Sequence, residues 1–162
     1  MSKLYIVCGI PGAGKSTTIK EKFGTEITSQ DYLIVSRDKI RFGLLKDGDA
    51  YFEHEPVVEE MFYKGITKAL RLGYDVVADQ SSINPKSRKR LINKVAGYTE
   101  INAIWVDTPI EKCIERDSKR TGWAQVGEKV IKKMAKDFIP PYEAEGFANI
   151  YRWDNSKDKI KT

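Results

Sequence analysis

Three glycines, a lysine and a serine stand close together in Gly9-Ile10-Pro11-Gly12-Ala13-Gly14-Lys15-Ser16. Those residue types at that spacing suit one kind of chemistry, the holding of a run of phosphates. Glycine permits backbone conformations and close approaches that a Cβ would block. Successive N–H groups around Gly12, Ala13 and Gly14 can then turn inward as an anion nest, at the positive end of a helix that begins near Lys15. Lys15 reaches the β- and γ-phosphates as a mobile point charge. Ser16 offers a hydroxyl to Mg²⁺, which prefers hard oxygen ligands, and Thr17 falls one position further on, near the α-phosphate. The competing reading is a glycine turn with no ligand. By chance the pattern arises in on the order of one in a few hundred chains of this length. A strand before it and a helix after it make the coincidence rarer still, and ATP with Mg²⁺ is the expected pair of ligands.

A second group of residues suits the receiving side of a phosphoryl transfer. In Ser36-Arg37-Asp38-Lys39-Ile40-Arg41 the acid and the second arginine lie three apart, so a helix starting at Arg37 sets Asp38 and Arg41 on one face. Asp38 can accept a hydroxyl proton, and Arg41 can hold an anionic part of the acceptor, its forked guanidinium suiting phosphate oxygens better than an ammonium. Equally, Asp38 can simply favour a helix amino terminus, with Arg41 on a solvated face. Asp79, followed by Gln80, ends a strand-like run, where it can orient Mg²⁺-bound water or fix Arg41; a turn or cap is the alternative. Asp107 stands similarly before Thr108-Pro109 and reads as a cap. Arg116 and Arg120 lie four apart, just ahead of Thr121-Gly122-Trp123, a plausible lid, where they can cover phosphate oxygens. Surface pairing with Glu111, Glu115 or Asp117 is the other reading.

These residues need a scaffold that brings them to one edge. Short apolar runs alternate with helical patterns, as in a parallel sheet covered on both faces. The strands are expected at Leu4 to Cys8, Leu33 to Val35, Asp75 to Asp79, Ile101 to Val106 and Ile150 to Trp153. Helices are expected from Lys15 to Phe23, Arg37 to Leu45 and Pro56 to Leu72, the last with Val57, Met61, Ile66 and Leu70 inward. A further helix runs from Pro85 until Gly97 closes it, then one from Pro109 to Arg120 and one from Gly127 to Phe138. In a doubly wound sheet, ligands gather at the carboxyl ends of the strands. The reading is one α/β domain over residues 1–155, with a loose tail over 156–162.

Composition narrows the field. Hydrophobic residues make up 41% and charged residues 31% of the 162 residues, a balance that suits a globular chain rather than a disordered one. No run approaches the roughly 18 apolar residues of a membrane span, and Met1-Ser2-Lys3 leads straight into a strand, so neither anchor nor signal peptide is expected. Cys8 and Cys113 fall in a strand and a helix without metal or redox spacing and read as free core thiols, consistent with a cytoplasmic setting. A net charge of +5, from 28 basic and 23 acidic residues, is compatible with an anionic partner without requiring one. The sole histidine, His54, lies among acids and takes no catalytic role. Trp105 and Trp153 fall inside strands and read as core, which leaves Trp123 as the one base-stacking candidate. No Asn-Lys-x-Asp guanine-reading segment is present, and the length leaves little room for a motor domain.

Taken together, the phosphate loop, Ser36-Arg37-Asp38-Lys39-Ile40-Arg41, Val76-Val77-Ala78-Asp79 and Arg116-Asp117-Ser118-Lys119-Arg120 resemble the kinase domain of bacteriophage-type polynucleotide 5′-kinases. The resemblance runs through Phe138-Ile139-Pro140 and Glu145-Gly146-Phe147. It implies a three-layer P-loop kinase fold: a five-stranded parallel sheet with helices on both faces and a small helical lid. It further implies transfer of the ATP γ-phosphate to a 5′-hydroxyl of DNA or RNA. Under it, Asp38 is the general base and Arg41 the contact to the acceptor's phosphate. Lys15 and Ser16 become the nucleotide and metal residues, Arg116 and Arg120 the lid arginines, and Asp79 a support for Arg41 and the acceptor. Gln80-Ser81 stands where that family often has a Thr-Asn-type pair, so Gln80 joins the acceptor side in a form of its own. The wider group includes kinases of small metabolites, antibiotics and aminoacylated tRNA, so a small-molecule hydroxyl remains the alternative acceptor. A regulatory nucleotide-binding protein is the third reading. The basic stretch Lys86-Ser87-Arg88-Lys89-Arg90, with Lys94 one turn on, either tracks phosphates or is a solvated face.

Overall fold

Along the first strand, β1 (Lys3–Cys8), side chains alternate between two cores: Leu4, Ile6 and Cys8 enter one, Tyr5 and Val7 the other. A strand buried on both faces is the centre of a sheet with helices on each side. A computed structural model of the chain describes residues 2–23, 25–27, 29 and 31–156 and shows that arrangement. After β1 come α1 (Lys15–Lys22), β2 (Tyr32–Ser36), α2 (Arg37–Leu44) and α3 (Glu55–Arg71). The chain continues through β3 (Asp75–Asp79), α4 (Pro85–Lys94), β4 (Glu100–Asp107), α5 (Ile110–Ser118), α6 (Glu128–Asp137) and β5 (Asn149–Asp154). All strand pairings are parallel, in the order β2-β3-β1-β4-β5. Helices α3 and α4 cover one face, and α1, α5 and α6 the other. The expected P-loop kinase-like fold is therefore present.

The buried face of α3 differs at two of the four expected positions, each by one place along the chain. Val58, Phe62, Ile66 and Leu70 are inward, while Val57 and Met61 are exposed at 48% and 46%. Both phases are apolar in sequence, and the larger Phe62, fully buried, decides between them; such a side chain contributes about 1.5–3 kcal/mol on burial. The fourth helix ends at Lys94, short of Gly97. Ser156, where the tail begins, is tied down through its carbonyl, which accepts from Lys112 Nζ at 2.9 Å; residues 157–162 lie outside the described residues. Among the described residues, no helix is long and apolar enough to cross a membrane.

The topology sets up the site. The sheet runs β1 to β2 and β3 on one side and to β4 and β5 on the other, so the carboxyl ends of β1 and β3 flank a crevice. Ser36 pairs in register with Asp79. That pairing carries Arg37 and Asp38 to the same edge as Gln80 and the loop after β1.

Candidate active site

The loop after β1 passes into α1 through Gly14, which caps the helix with φ of 81°. Gly12 also has φ of 81°, and a Cβ there would stand 2.4 Å from the carbonyl oxygen of Cys113. The loop is therefore shaped against α5, and only glycine fits. A carbonyl of the loop is also anchored from outside. Ala13 O accepts from Thr108 Oγ1 at 2.6 Å, and Asn155 Nδ2 reaches the same oxygen at 3.4 Å and Thr108 Oγ1 at 3.3 Å. Lys15 folds over the loop, its ammonium donating to the carbonyls of Gly9 and Ile10 at 3.2 Å each. Burial lowers its pKa, Asp79 and Asp38 oppose that shift, and Arg120 reinforces it.

Asp79 is 9% exposed at the end of β3. Burial pushes its carboxyl up; the Lys15 ammonium opposes, the Asp38 charge adds to the shift, and Lys39 and a hydrogen bond from Ser16 oppose it. Asp79 and Ser16 thus bring two hard oxygens together beside the nest, a donor set that fits Mg²⁺ held jointly with substrate phosphates. Among the described residues, no group of three or more His, Cys, Asp or Glu side chains could hold a metal by itself.

The acceptor-side residues do share a face. Ser36 caps α2, its hydroxyl accepting from Lys39 N at 3.2 Å. Arg41 lies one turn on, only 6% exposed, and donates to Asp38 Oδ1 at 2.6 Å. Asp38 itself is 65% exposed through its side chain. The expectation that Asp79 fixes Arg41 is not met. Glu55, in the first turn of α3, does so through two parallel bonds, Arg41 Nε to Oε2 at 2.9 Å and Nη2 to Oε1 at 2.7 Å. The same carboxylate takes Arg37 Nε and Nη2 at 3.1 and 2.8 Å, and Arg37 Nη1 donates to Gln80 Oε1 at 3.1 Å. Tyr51 Oη lies 3.1 Å from Arg41 Nη1, with the guanidinium 4.7 Å from its ring centre and 5.5 Å from that of Phe52. Burial alone would lower the Arg41 pKa, yet the bond to Glu55 and the charges around it leave it raised.

Lys15, Ser16, Asp38, Arg41, Asp79, Gln80 and Arg120 all line one cleft of about 900 Å³. Gly12, Ala13, Gly14 and Thr17 form its floor, with Phe42, Tyr51 and Phe52 on one wall and Trp123, Val130 and Met134 from the lid side. Arg116 stands apart from the cleft. Its Nη1 donates to Gly12 O at 3.4 Å, so it braces the loop from the α5 side. The lid closes on itself through Asp117, 2% exposed, whose carboxylate accepts from Val126 N at 2.8 Å and Gly127 N at 2.9 Å. Asp117 is thus no surface partner of Arg116 or Arg120. It joins the end of α5 to the start of α6.

Several residues prove structural. Arg88, expected on a basic face, is fully buried and bonds Glu145 at 2.8 and 3.0 Å and the carbonyls of Ser82 and Ile139 at 2.9 and 3.0 Å. Asp107 does not cap α5; it accepts from Arg152 at 2.6 and 3.0 Å. Trp153 is buried as expected, whereas Trp105 is half-buried, with Arg152 5.0 Å from its ring centre. Burial pushes the Cys8 thiol up to about 12 and the Cys113 thiol to about 11, so both are unreactive core groups. His54 bonds Asp49 at 3.1 Å, away from the cleft.

The fold recurs among solved structures. A chain of the Pnkp1/Rnl/Hen1 RNA repair complex superposes with a TM-score of 0.69 at 24% identity, over 84% of this chain and 43% of that one. This chain thus spans less than half the length of that relative. A sugar kinase from Janibacter sp. gives a TM-score of 0.60 at 18% identity, covering 95% of this chain and 86% of that one. Kti12 from Chaetomium thermophilum, solved with ADP-AlF3, gives 0.64 at 17% identity, covering 96% and 89%. Identities this low speak for the fold alone. Comparison with curated protein sequences yields no match. A family model described as an AAA domain matches residues 4–141. That span carries the phosphate loop, the acceptor-side cluster and the lid, and the chain belongs to this AAA domain family.

Proposed function

We propose that the chain is an ATP-dependent kinase that transfers the γ-phosphate to the 5′-hydroxyl of a polynucleotide. The observation that carries this reading is a single cleft lined by the glycine loop and Lys15 on one side and by Asp38 and Arg41 on the other. Binding a nucleotide alone would not need the second set.

In the proposed reaction Asp38 takes the proton of the acceptor hydroxyl as its oxygen bonds to the γ-phosphorus and the bond to the bridging oxygen of ADP breaks. Lys15 leaves the carbonyls of Gly9 and Ile10 for the phosphate oxygens, and the N–H groups of Gly12 to Ser16 hold the rest of the chain. Arg120, exposed on the lid side, covers the charge that spreads over the transferred group. Ser16 and Asp79 would hold Mg²⁺, which supplies neutralisation of the phosphate charge when bound. Glu55 holds Arg41 through Nε and Nη2, and its Nη1, on Asp38 and Tyr51 in the ligand-free cleft, would turn to an anionic group of the acceptor, with Gln80 and Arg37 completing that side.

A nucleic-acid acceptor is supported by the aromatic wall. Phe52 is 66% exposed beside Arg41 and Tyr51, a stacking surface next to a phosphate contact. The likeness to a chain of an RNA repair complex points the same way. A small-molecule hydroxyl is the second reading, favoured by the sugar kinase and a gluconokinase from Sinorhizobium meliloti, whose chains are covered at 86% and 85%. An acceptor panel separates the two. Purified protein with γ-labelled ATP is offered a 5′-hydroxyl oligonucleotide, a nucleoside 3′-monophosphate, gluconate and other free sugars. The proposal expects label at the oligonucleotide 5′ end; label on a sugar alone would replace it with the second reading.

A further inference from the structure

The carboxyl-terminal halves of α3 and α4 enclose a second groove, of about 560 Å³. Lys64, Lys68, Arg71 and Lys94 line it, and no carboxylate does among the described residues. Lys64 is tied to Glu60, one turn back on α3. Lys68, Arg71 and Lys94 make no ion pair among the described residues. Each lies in the last turn of its helix, where the helix dipole favours a cation. That accounts for each residue on its own helix. It does not account for two helices bringing these ends together over one cavity, where like charges repel unless an anion lies between them.

A path leads there from the cleft. The fourth helix follows directly on the acceptor-side loop, and its Lys86, Arg90 and Lys94 are spaced four apart, a single stripe running toward the groove. Arg90 meets Glu59 in an exposed pair, which contributes little and yields readily. Glu55 marks the cleft at the start of α3, and Lys68 lies about 20 Å further along that helix at about 1.5 Å per residue. At about 3.4 Å per nucleotide that span equals about six nucleotides of one strand.

We propose that this groove holds the phosphate backbone of the strand that trails from the acceptor end, giving longer polynucleotides a second contact. The inference rests on the polynucleotide reading of the cleft and adds to it a length preference with a defined location. Acceptors shorter than about six nucleotides end before the groove and gain nothing from it.

The test compares a trinucleotide with a dodecanucleotide, both with a 5′-hydroxyl, on the wild type and on Lys68→Glu/Arg71→Glu/Lys94→Glu. For the wild type the acceptor KM of the dodecanucleotide is expected about tenfold below that of the trinucleotide, with three phosphate contacts making it salt-sensitive. The triple variant is expected to bring the two KM values together, with kcat and the trinucleotide KM unchanged. The melting temperature should fall by only a few degrees, from the loss of three cations at helix carboxyl termini. Its slope of log KM against log salt should flatten by about 2, from about 0.7 per contact on a single strand. Equal wild-type KM values for the two lengths, or a preference that survives the triple substitution, overturns the groove while leaving the acceptor reading intact. Absence of label on either oligonucleotide overturns the acceptor reading, and the groove's role with it.

Discussion

Replacing Glu55 by glutamine removes the charge that holds both Arg37 and Arg41. The carboxylate accepts four bonds, at 2.7 and 2.9 Å from Arg41 and at 2.8 and 3.1 Å from Arg37. Glutamine keeps one acceptor oxygen and turns an amide N–H₂ toward a guanidinium. Removing one partner of a fully buried pair costs about 3–5 kcal/mol. Here the Glu55 side chain is 23% exposed and Asp38 still bonds Arg41, so about 2 kcal/mol is expected after screening by solvent. For a domain of this size that lowers Tm by about 4–8 °C. The effect on chemistry is sharper. Arg41 already donates to Asp38 Oδ1 at 2.6 Å; without Glu55 that acid is left as its main anionic partner, and the tighter pair should hold the proposed base away from the acceptor proton. A positioned base contributes about 10²–10⁴ in rate, so its partial misplacement should cost about 10–100-fold in kcat. The ATP KM should stay within about twofold, because the glycine loop does not touch Glu55. Initial rates of label transfer from γ-labelled ATP, with thermal unfolding by circular dichroism, give both numbers. Wild-type kcat, or a loss carried by the ATP KM instead, would refute the positioning role.

Gly12→Ala and Gly14→Ala should differ although both residues have φ of 81°. A Cβ at Gly12 meets the Cys113 backbone at 2.4 Å, while one at Gly14 meets only the movable Arg116 guanidinium at 2.6 Å; nucleotide affinity by calorimetry should fall further in the first variant. Asp79→Asn should stabilise the ligand-free fold while abolishing turnover. The Asp79 carboxyl is raised above its unfolded value mainly by burial, so the folded state holds its proton longer and stability falls as pH rises through the window between the two. Above that window the full penalty is present, and removing the charge should raise Tm there; a lower Tm would contradict the sign. Arg88→Met should cost about 3–5 kcal/mol by leaving Glu145 buried without its partner, and Arg88→Met/Glu145→Met should recover part of that in a denaturant titration.

What the sequence made legible was local. The phosphate loop is eight consecutive residues whose backbone does the binding, so its strand, turn and helix can be read in order. Asp38 and Arg41 are three apart on one helix, and their contact follows from helical spacing alone. The missed residues act across distance. Glu55 looks like an ordinary acid in the first turn of a helix, which the dipole would favour with no other role. Its hold on Arg41 depends on α3 starting beside the face of α2 that carries that residue. Asp117 sits between two arginines and reads as their surface partner, but the turn of the lid brings two backbone N–H groups onto it instead. Arg88 lies within a basic run and looks solvated, because the Glu145 that neutralises it comes 57 positions later. In α3 the two apolar phases are adjacent, and only the sheet against which Phe62 packs distinguishes them.

In the proposed reaction Asp38, in one cleft with Lys15, receives a proton from a polynucleotide 5′-hydroxyl. Single-turnover transfer from γ-labelled ATP to a 5′-hydroxyl oligonucleotide, run on Asp38→Asn beside the wild type, tests that step most directly. The transfer rate should fall by about 10²–10⁴ with ATP affinity unchanged. An Asp38→Asn protein that transfers label at the wild-type rate would contradict that role.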